Sequence, residues 1–332
     1  MGARKLVGTP YLADPELRRE YARDIAPRTR AALARILAEV YPADSAPPQR
    51  ALDLGSGTGA AAEALRAWSG DDIEVVRVDR VASPGVVTAN LEAVLPAPPA
   101  VTGRFDLIVA AHLLGELFVD EPLEERVDAR ARRVRAWVDG LLAPGGTVIL
   151  VEPALRETSR ELLAVRDQLL AMSDLEIVAP CFWTGACPAL ARERDWCHDS
   201  SAVGPSEGPT PPATGSHGQS PRSPTRSEAN RSRVDFSYLV LRDRWRPIPG
   251  QLRYRVVSDP LPEKGRLKLY ACGPTGRHAY IRLDRHESPA NTAFADLVRG
   301  DVARIAGATP ASDGMRVEAT TAVARVPVRT LP

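Results

Sequence analysis

Long apolar runs, lysine and cysteine are all scarce in this chain of 332 residues. No stretch approaches the roughly 20 consecutive apolar residues that a membrane-spanning helix needs, so no membrane partner is expected. The first residues mix acids with arginines and lack the apolar segment of a secretion signal. Four cysteines in a chain of this length are too few for a disulfide scaffold. That scarcity points to a cytoplasmic setting and makes a metal or redox role the first question to ask of the thiols. An excess of charge of one sign is missing as well. A formal net charge of +1 excludes a globally basic nucleic-acid binder, although the basic residues, nearly all arginine, can still gather on one face. Internal repeats are absent, and the length suits one large domain and a small one.

What the chain does have is centred on Arg50-Ala51-Leu52-Asp53-Leu54-Gly55-Ser56-Gly57-Thr58-Gly59-Ala60. A short apolar run reads as a buried parallel strand, and the alternating glycines read as a tight turn opening an alanine-rich helix. Glycine suits such a turn because its backbone angles are unusual and a Cβ would keep a ligand away from the backbone. Amide groups at the helix start then face that ligand. The run Gly55-x-Gly57-x-x-Ala60 also satisfies the dinucleotide fingerprint. Two features favour S-adenosylmethionine: the third glycine, Gly59, comes one position early, and Asp53 lies two residues before Gly55. A carboxylate there would repel a pyrophosphate but suits a ligand carrying an amino group and a sulfonium. Asp-x-Gly-x-Gly-x-Gly resembles motif I of the Rossmann-like methyltransferases.

Residues 1–48 read as a helical lead-in. Asp14-Pro15 is an N-cap followed by proline at the first helical position, Pro27 can start a second helix, and Leu33, Ile36, Leu37 and Val40 form an apolar stripe. Ile73–Asp79 is a second strand whose terminal acid, Asp79, is placed to accept hydrogen bonds from ribose hydroxyls. Arg104–Leu117 holds a fourth strand followed by His112, which reads as a base or, more simply, as a packing or capping histidine. The segment contains neither an Asn/Asp-Pro-Pro-aromatic motif nor a cysteine, which disfavours methylation of an exocyclic base amine and thiolate attack on a pyrimidine. No residue is marked as a general base. A periodic helix over residues 121–142 puts Leu123, Val127, Ala131, Val134, Val138 and Leu141 on one face. Its Arg126, Arg130, Arg133 and Arg135 read as a solvated face or an RNA contact. Leu142–Pro153 resembles the turn and fifth strand of the same methyltransferase fold. A helix over residues 158–172 and a strand at Leu175–Pro180 follow. The next strand, Val234–Leu241, would pair with that one as an antiparallel hairpin, which makes residues 181–233 an insertion at its tip. Residues 204–232, rich in Ser, Pro, Gly, Thr and Arg, are expected to be disordered. From residue 247 on, short β-runs at Leu252–Val257, Arg266–Ala271, His278–Leu283 and Met315–Ala322 suggest a small barrel, of which the oligonucleotide-binding kind is one form. Arg253, Arg255, Arg266, Lys268, Arg277 and Arg282 make that region locally basic.

The insertion opens Pro180-Cys181-Phe182-Trp183-Thr184-Gly185-Ala186-Cys187-Pro188 and reaches Trp196-Cys197-His198. The remaining cysteine is Cys272, far away in the β-rich tail. Four thiolates can hold zinc or an iron–sulfur cluster. The paired short-spaced knuckles of structural zinc sites are missing, and prolines and aromatics around widely spaced thiolates suit a cluster better. Unrelated buried cysteines are the plainer alternative.

The combination of Leu-Gly-Glu-Leu after the fourth strand, Ala-Pro-Cys-x5-Cys-Pro, Trp-Cys-His, Phe-Ser-Tyr-Leu-Val and the late Cys272 resembles a methyltransferase-like family associated with the small ribosomal subunit. That family is found in bacteria and as a mitochondrial ribosome assembly factor, and the resemblance runs from about Asp14 to Ala306. It implies a 4Fe-4S cluster on Cys181, Cys187, Cys197 and Cys272, and an adenosylmethionine pocket lined by Asp53, Gly55, Ser56, Gly57, Gly59 and Asp79. Two departures stand out: Cys181-Phe182-Trp183 replaces the family's Cys-Pro-His, and low-complexity sequence follows Trp196-Cys197-His198.

The resulting expectation is an α/β protein with a Rossmann-like class I methyltransferase sheet over residues 49–243. A helical N-terminus, a cysteine-rich insertion and a small C-terminal β domain over residues 247–332 complete it. Its expected function is binding, and methylating, small-subunit ribosomal RNA or protein, as a monomer off the ribosome. The alternatives are a non-catalytic RNA-binding assembly factor and a small-molecule methyltransferase.

Overall fold

The computed structural model describes residues 9–41, 46–70, 72–172, 175–203, 233–243 and 252–327. The low-complexity stretch 204–232 lies outside the described residues. Two helices lead in, α1 (Pro15–Asp24) and α2 (Ala26–Val40). The Asp14 carboxylate caps α1 by accepting from Glu16 N at 2.8 Å and Leu17 N at 3.3 Å. Next come β1 (Arg50–Leu54), α3 (Ala60–Ser69), β2 (Glu74–Asp79), β3 (Val86–Thr88) and β4 (Phe105–Ala111). They are followed by α4 (Leu123–Leu141), β5 (Leu142–Pro153), α5 (Arg156–Met172), β6 (Leu175–Ala179), β7 (Asp199–Ala202) and β8 (Arg233–Asp243). The C-terminal part holds β9 (Tyr254–Val256), β10 (Leu261–Glu263), β11 (Arg266–Gly273) and β12 (Gly276–Leu283). It ends with β13 (Val302–Ala306), β14 (Thr309–Ala311), β15 (Gly314–Val317) and β16 (Ala322–Val326).

The first sheet has the order β3-β2-β1-β4-β5-β8-β6. Strands β3 to β5 run parallel, and β8 lies antiparallel between β5 and β6. This is the Rossmann-like sheet of class I methyltransferases, with the order reversing between β1 and β4, where ligands bind in such folds. Strand alternation splits the core in two. Leu52, Leu54, Ile108, Val148 and Leu150 face α4 and α5, while Ala51, Leu107, Val109, Ile149 and Val151 face α2 and α3. The α2 stripe of Leu33, Ile36, Leu37 and Val40 is buried against that second face, each large aliphatic contributing about 1.5–3 kcal/mol. Strand β7 has a polar sequence with no strand pattern. It forms because β6 covers only the far end of the long β8, and β7 pairs with the uncovered stretch from Arg233 to Phe236.

The second sheet has the order β14-β15-β12-β11-β9-β13-β16, with β10 paired to β11. Strands β15 and β16 follow one another in sequence, joined by residues 318–321, yet β15 pairs with β12 and β14 near one end of the order while β16 pairs with β13 at the other. The sheet packs around Val256, Leu269, Tyr280, Phe294, Ile305 and Val317. Strands β10, β13, β14 and β16 were not expected from sequence, and the expected run Met315–Ala322 stops at Val317. Two are three-residue edge strands with every residue exposed, and Val302-Ala303-Arg304-Ile305-Ala306 alternates only loosely.

Arg255 of β9 joins the two sheets. Its buried guanidinium forms an ion pair with Glu39 of α2, and it donates to Gly300 O at 2.5 Å and Pro180 O at 3.1 Å. Arg35 adds bonds to Glu39 at 2.9 Å and to Gly300 O at 2.9 Å. Burial opposes charge on Glu39, but Arg255 and Arg35 outweigh it and hold the carboxyl below its ordinary value. Among the described residues no helix is long and apolar enough to cross a membrane.

Arg255→Ala removes one of the two guanidinium partners of buried Glu39 and should lower stability by about 3 kcal/mol, whereas replacing both partners, Arg255→Met with Glu39→Leu, should recover part of the loss, Arg35 keeping Asp199 and Gly300 O. Urea-unfolding midpoints of the single and double variants check this; equal losses in the two would contradict it.

Candidate cofactor cleft and cysteine cavity

A solvent-open cleft of about 650 Å³ lies over the C-terminal ends of β1, β2 and β4. Its floor is the glycine turn. Gly55 and Gly57 have φ of +69° and +50°, a region that disfavours side chains, and a Cβ on Gly55 would come within 2.9 Å of the Leu113 side chain. The turn is held from below. Gly55 N and Ser56 N donate to Val78 O at 2.8 and 3.0 Å, and Gly57 N donates to an Asp79 carboxylate oxygen at 2.8 Å. The other Asp79 oxygen accepts from Val81 N at 2.8 Å.

Of the six residues expected to bind the cofactor, Gly55, Gly57 and Asp79 line this cleft, while Asp53, Ser56 and Gly59 do not. Asp53 lies beneath the turn beside Arg77, where burial pushes its carboxyl up to about 7 against the lowering effect of that arginine. The anionic lining that sequence reasoning gave to Asp53 comes instead from Asp79, Glu92 and Glu116, with Arg80 as the cation among them. The carboxylates exceed the cations, so the cleft suits a positively charged ligand and disfavours a pyrophosphate. Asp53 Oδ2, Ser56 Oγ and Thr58 Oγ1 are buried with no hydrogen-bond partner, leaving polar capacity in the turn. The donor set, the net charge and the glycine floor fit S-adenosylmethionine.

The sequence allowed the helical lead-in to cover the cofactor, with packing the plainer role, but named no residue of the roof. Residues Thr9 to Leu12 cross the cleft, with the Tyr11 hydroxyl donating to Glu116 at 3.2 Å and Arg80 bridging Glu116, at 3.1 Å, and Thr9 O. Leu12 packs over Gly57. No pattern in the sequence links Tyr11 to Glu116, because the pairing is long-range. His112 also lines the cleft, in a left-handed conformation with φ of 57° that side chains seldom adopt. Its N–H donates to Val151 O at 2.7 Å, its Nε2 lies 3.4 Å from Thr29 Oγ1, and burial pushes its pKa down to about 4, so it is neutral. Glu152, at the end of β5, was missed too. It accepts from Gly115 N at 3.0 Å and, with Arg130, holds the turn after β4. Burial pushes its carboxyl up to about 7. An acid closing an otherwise apolar strand was the signal available.

A second cavity, of about 520 Å³, is lined by all four cysteines: Cys181, Cys187, Cys197 and Cys272. Cys272 comes from β11, and the other three come from the insertion. The loop between Cys181 and Cys187 is fastened by Arg166, which donates to Gly185 O at 2.9 Å and to Trp183 O, and by Asp167, which accepts from Cys187 N at 2.9 Å. Ser237 donates to Cys197 O at 2.8 Å. Burial, then the neighbouring thiols, push Cys187 up to about 11, Cys272 up to about 12 and Cys197 further still. Among the described residues no three His, Cys, Asp or Glu side chains are arranged to hold a single metal ion.

The arginines of α4 do not form a free basic face. Arg130 and Arg133 are buried and donate to backbone carbonyls, Arg126 pairs with Glu161, and Arg135 pairs with Asp139. In the tail, Arg255 and Arg282 are likewise buried, and Arg266 and Arg277 are paired with acids.

The family model described as the mitochondrial small ribosomal subunit protein Rsm22 matches residues 18–281. No curated protein matches the chain. Among solved structures, the plantazolicin methyltransferase BamL, in complex with a desmethylPZN analogue and SAH, is 16% identical. That match covers 44% of this chain and 53% of the other at a TM-score of 0.32. TrmN from Thermus thermophilus is 16% identical over 67% of this chain and 53% of its own, at a TM-score of 0.34. The methyltransferase BpumL is 12% identical over 69% and 90%, at a TM-score of 0.39. The chain thus spans about half the length of the first two. These scores add nothing to the fold, which is read from strand order.

In the unfolded chain Glu152 ionises near 4.5, and in the fold it keeps its proton up to about 7. The folded state therefore binds more protons between those values. This group's contribution to stability is complete below the lower value and is lost as pH rises to the higher one. Glu152→Gln keeps an acceptor for Gly115 N and cannot ionise. Its stability relative to the parent should rise by on the order of 1–3 kcal/mol from pH 4.5 to 7.5, read from urea midpoints without ligand. A difference that stays constant with pH would refute this.

Proposed function

The chain belongs to the family of the mitochondrial small ribosomal subunit protein Rsm22, and on that premise we propose a methyltransferase-like protein that binds S-adenosylmethionine and acts on or binds small-subunit ribosomal RNA. The observation that carries the cofactor reading is the carboxylate-lined cleft over a glycine floor at the reversal of strand order. S-adenosylmethionine, when bound, supplies an activated methyl group. Asp79, Glu92 and Glu116 complement its positive charge, and the glycine turn lets the backbone approach. Positioning of an acceptor beside the end of β4, where neutral His112 borders the cleft, would provide the rate advantage by proximity. The assembly-factor reading, in which the cofactor is held without transfer, is favoured by the roof of Thr9 to Leu12 across the same cleft. A small-molecule methyltransferase lacks comparable support.

The same proposal includes a 4Fe-4S cluster on Cys181, Cys187, Cys197 and Cys272, with zinc as the alternative. Four thiols lining one cavity form a donor set suited to either group. A monomeric state off the ribosome and a cytoplasmic location also belong to the proposal. The location rests on cysteine usage, whereas the family description names a mitochondrial setting.

Calorimetry with S-adenosylmethionine and with NAD, together with crosslinking to RNA in cells, tests the main reading. Binding of the former ligand and crosslinks mapping to small-subunit RNA are expected; tight NAD binding without adenosylmethionine binding would overturn it. For the cluster, Cys272→Ser should lower iron and sulfide content after anaerobic purification and loosen the C-terminal sheet, because ligand energy is also folding energy. One equivalent of zinc with no sulfide would replace the cluster by zinc.

A further inference from the structure

We propose that the outer face of β11 and β12, with the rim of the cysteine cavity beside it, is a landing surface for single-stranded RNA. This rests on the small-subunit reading and names the part of the chain that makes the contact. Strand alternation sends Leu267, Leu269 and Ala271 toward the core, so Lys268 and Tyr270 face outward. Ala279 pairs opposite Tyr270, so the neighbouring strand sets only a methyl group beside the ring. Lys268 Nζ lies 5.1 Å and the Arg277 guanidinium 5.4 Å from the centre of that ring. Arg277 is held by Asp195 at 2.9 Å, and the next residue is Trp196, whose indole is 38% exposed and stacks on His198. The half-buried Tyr270 ring and the exposed Trp196 ring therefore flank one ion pair, with Lys268 beside them making no ion pair among the described residues.

Every base has a π-face, so aromatic platforms interleaved with cations bind single strands with little sequence preference. Duplex RNA hides its base faces and is read through its grooves instead. The strand order here, a sheet with β12 parallel to β15, presents β11 and β12 as oligonucleotide-binding barrels present their second and third strands. Several other basic candidates are spent internally: Arg130, Arg133, Arg255 and Arg282 already hold carbonyls and carboxylates. Because Asp195 offsets Arg277, stacking rather than charge should dominate. The slope of log affinity against log salt should then be shallow, about −0.7 to −1.4, as one or two phosphate contacts to a single strand give.

The test is fluorescence anisotropy of the full chain with a labelled single-stranded RNA of about 12 nucleotides, and with a duplex of the same length. Tyr270→Ala should weaken single-strand binding about tenfold or more, while Tyr270→Phe keeps it. Lys268→Glu should weaken it and flatten the salt slope; Arg132→Glu on α4 should leave it unchanged. Thermal melts establish that each variant is folded. Parallel sedimentation with purified small subunits separates the outcomes. If the parent binds the strand and the two β11 variants bind as tightly, the surface is wrong and the small-subunit reading stands. If the parent prefers duplex, or ignores RNA while still sedimenting with subunits, the surface is wrong and the partner is a duplex or a protein. If it neither binds RNA nor sediments with subunits, both ideas fall.

Discussion

The guanidinium of Arg255 is the constraint on which the relation between the two halves depends. A buried cation is tolerated only when its charge and its donors are matched, and here the partners come from three separate parts of the chain. Glu39 belongs to the helical lead-in, Pro180 opens the cysteine loop, and Gly300 precedes strand β13. Within the second sheet, Arg255 pairs in register with Cys272, while Pro180 is the neighbour of Cys181. One arginine thereby links the strand beside Cys272 to the residue before Cys181, while Asp167 and Ser237 hold Cys187 and Cys197.

The same chemistry recurs throughout. Arginine carries five donors in a rigid plane and keeps its charge when buried. Arg130 and Arg133 fasten the segments beside the cleft, Arg166 the cysteine loop, and Arg282 the turn around Asn291. These are structural braces that tie loop carbonyls to helices and strands. Much of the arginine in the described part of the chain is therefore committed to structure and not displayed as free charge.

The cleft shows a related division of labour. Asp79 both holds the glycine turn and lines the site, whereas Asp53 and Glu152 are withdrawn into the protein and keep their protons to about neutral pH. For the withdrawn pair, burial outweighs the backbone hydrogen bonds that each accepts. Net negative charge at the opening can thus coexist with buried acids behind it at modest cost.

Alternation in Leu52-Asp53-Leu54 and the glycines after it determined the first strand and the turn, because strand period and positive φ are local demands. The apolar stripe of α2, the Asp14 cap and the periodic face of α4 were legible for the same reason. The four cysteines could be named from sequence, and so could Asp79 at the end of its strand. Only the tertiary structure decided that Asp53 lies under the turn rather than in the cleft, that Tyr11 reaches Glu116, and that the α4 arginines are spent on carbonyls and carboxylates. It also decided β7, a polar segment drafted onto the uncovered half of β8. Each of these depends on which distant groups share a desolvated space. Residue type and spacing carry no record of that, because the partner of a buried charge is chosen by packing.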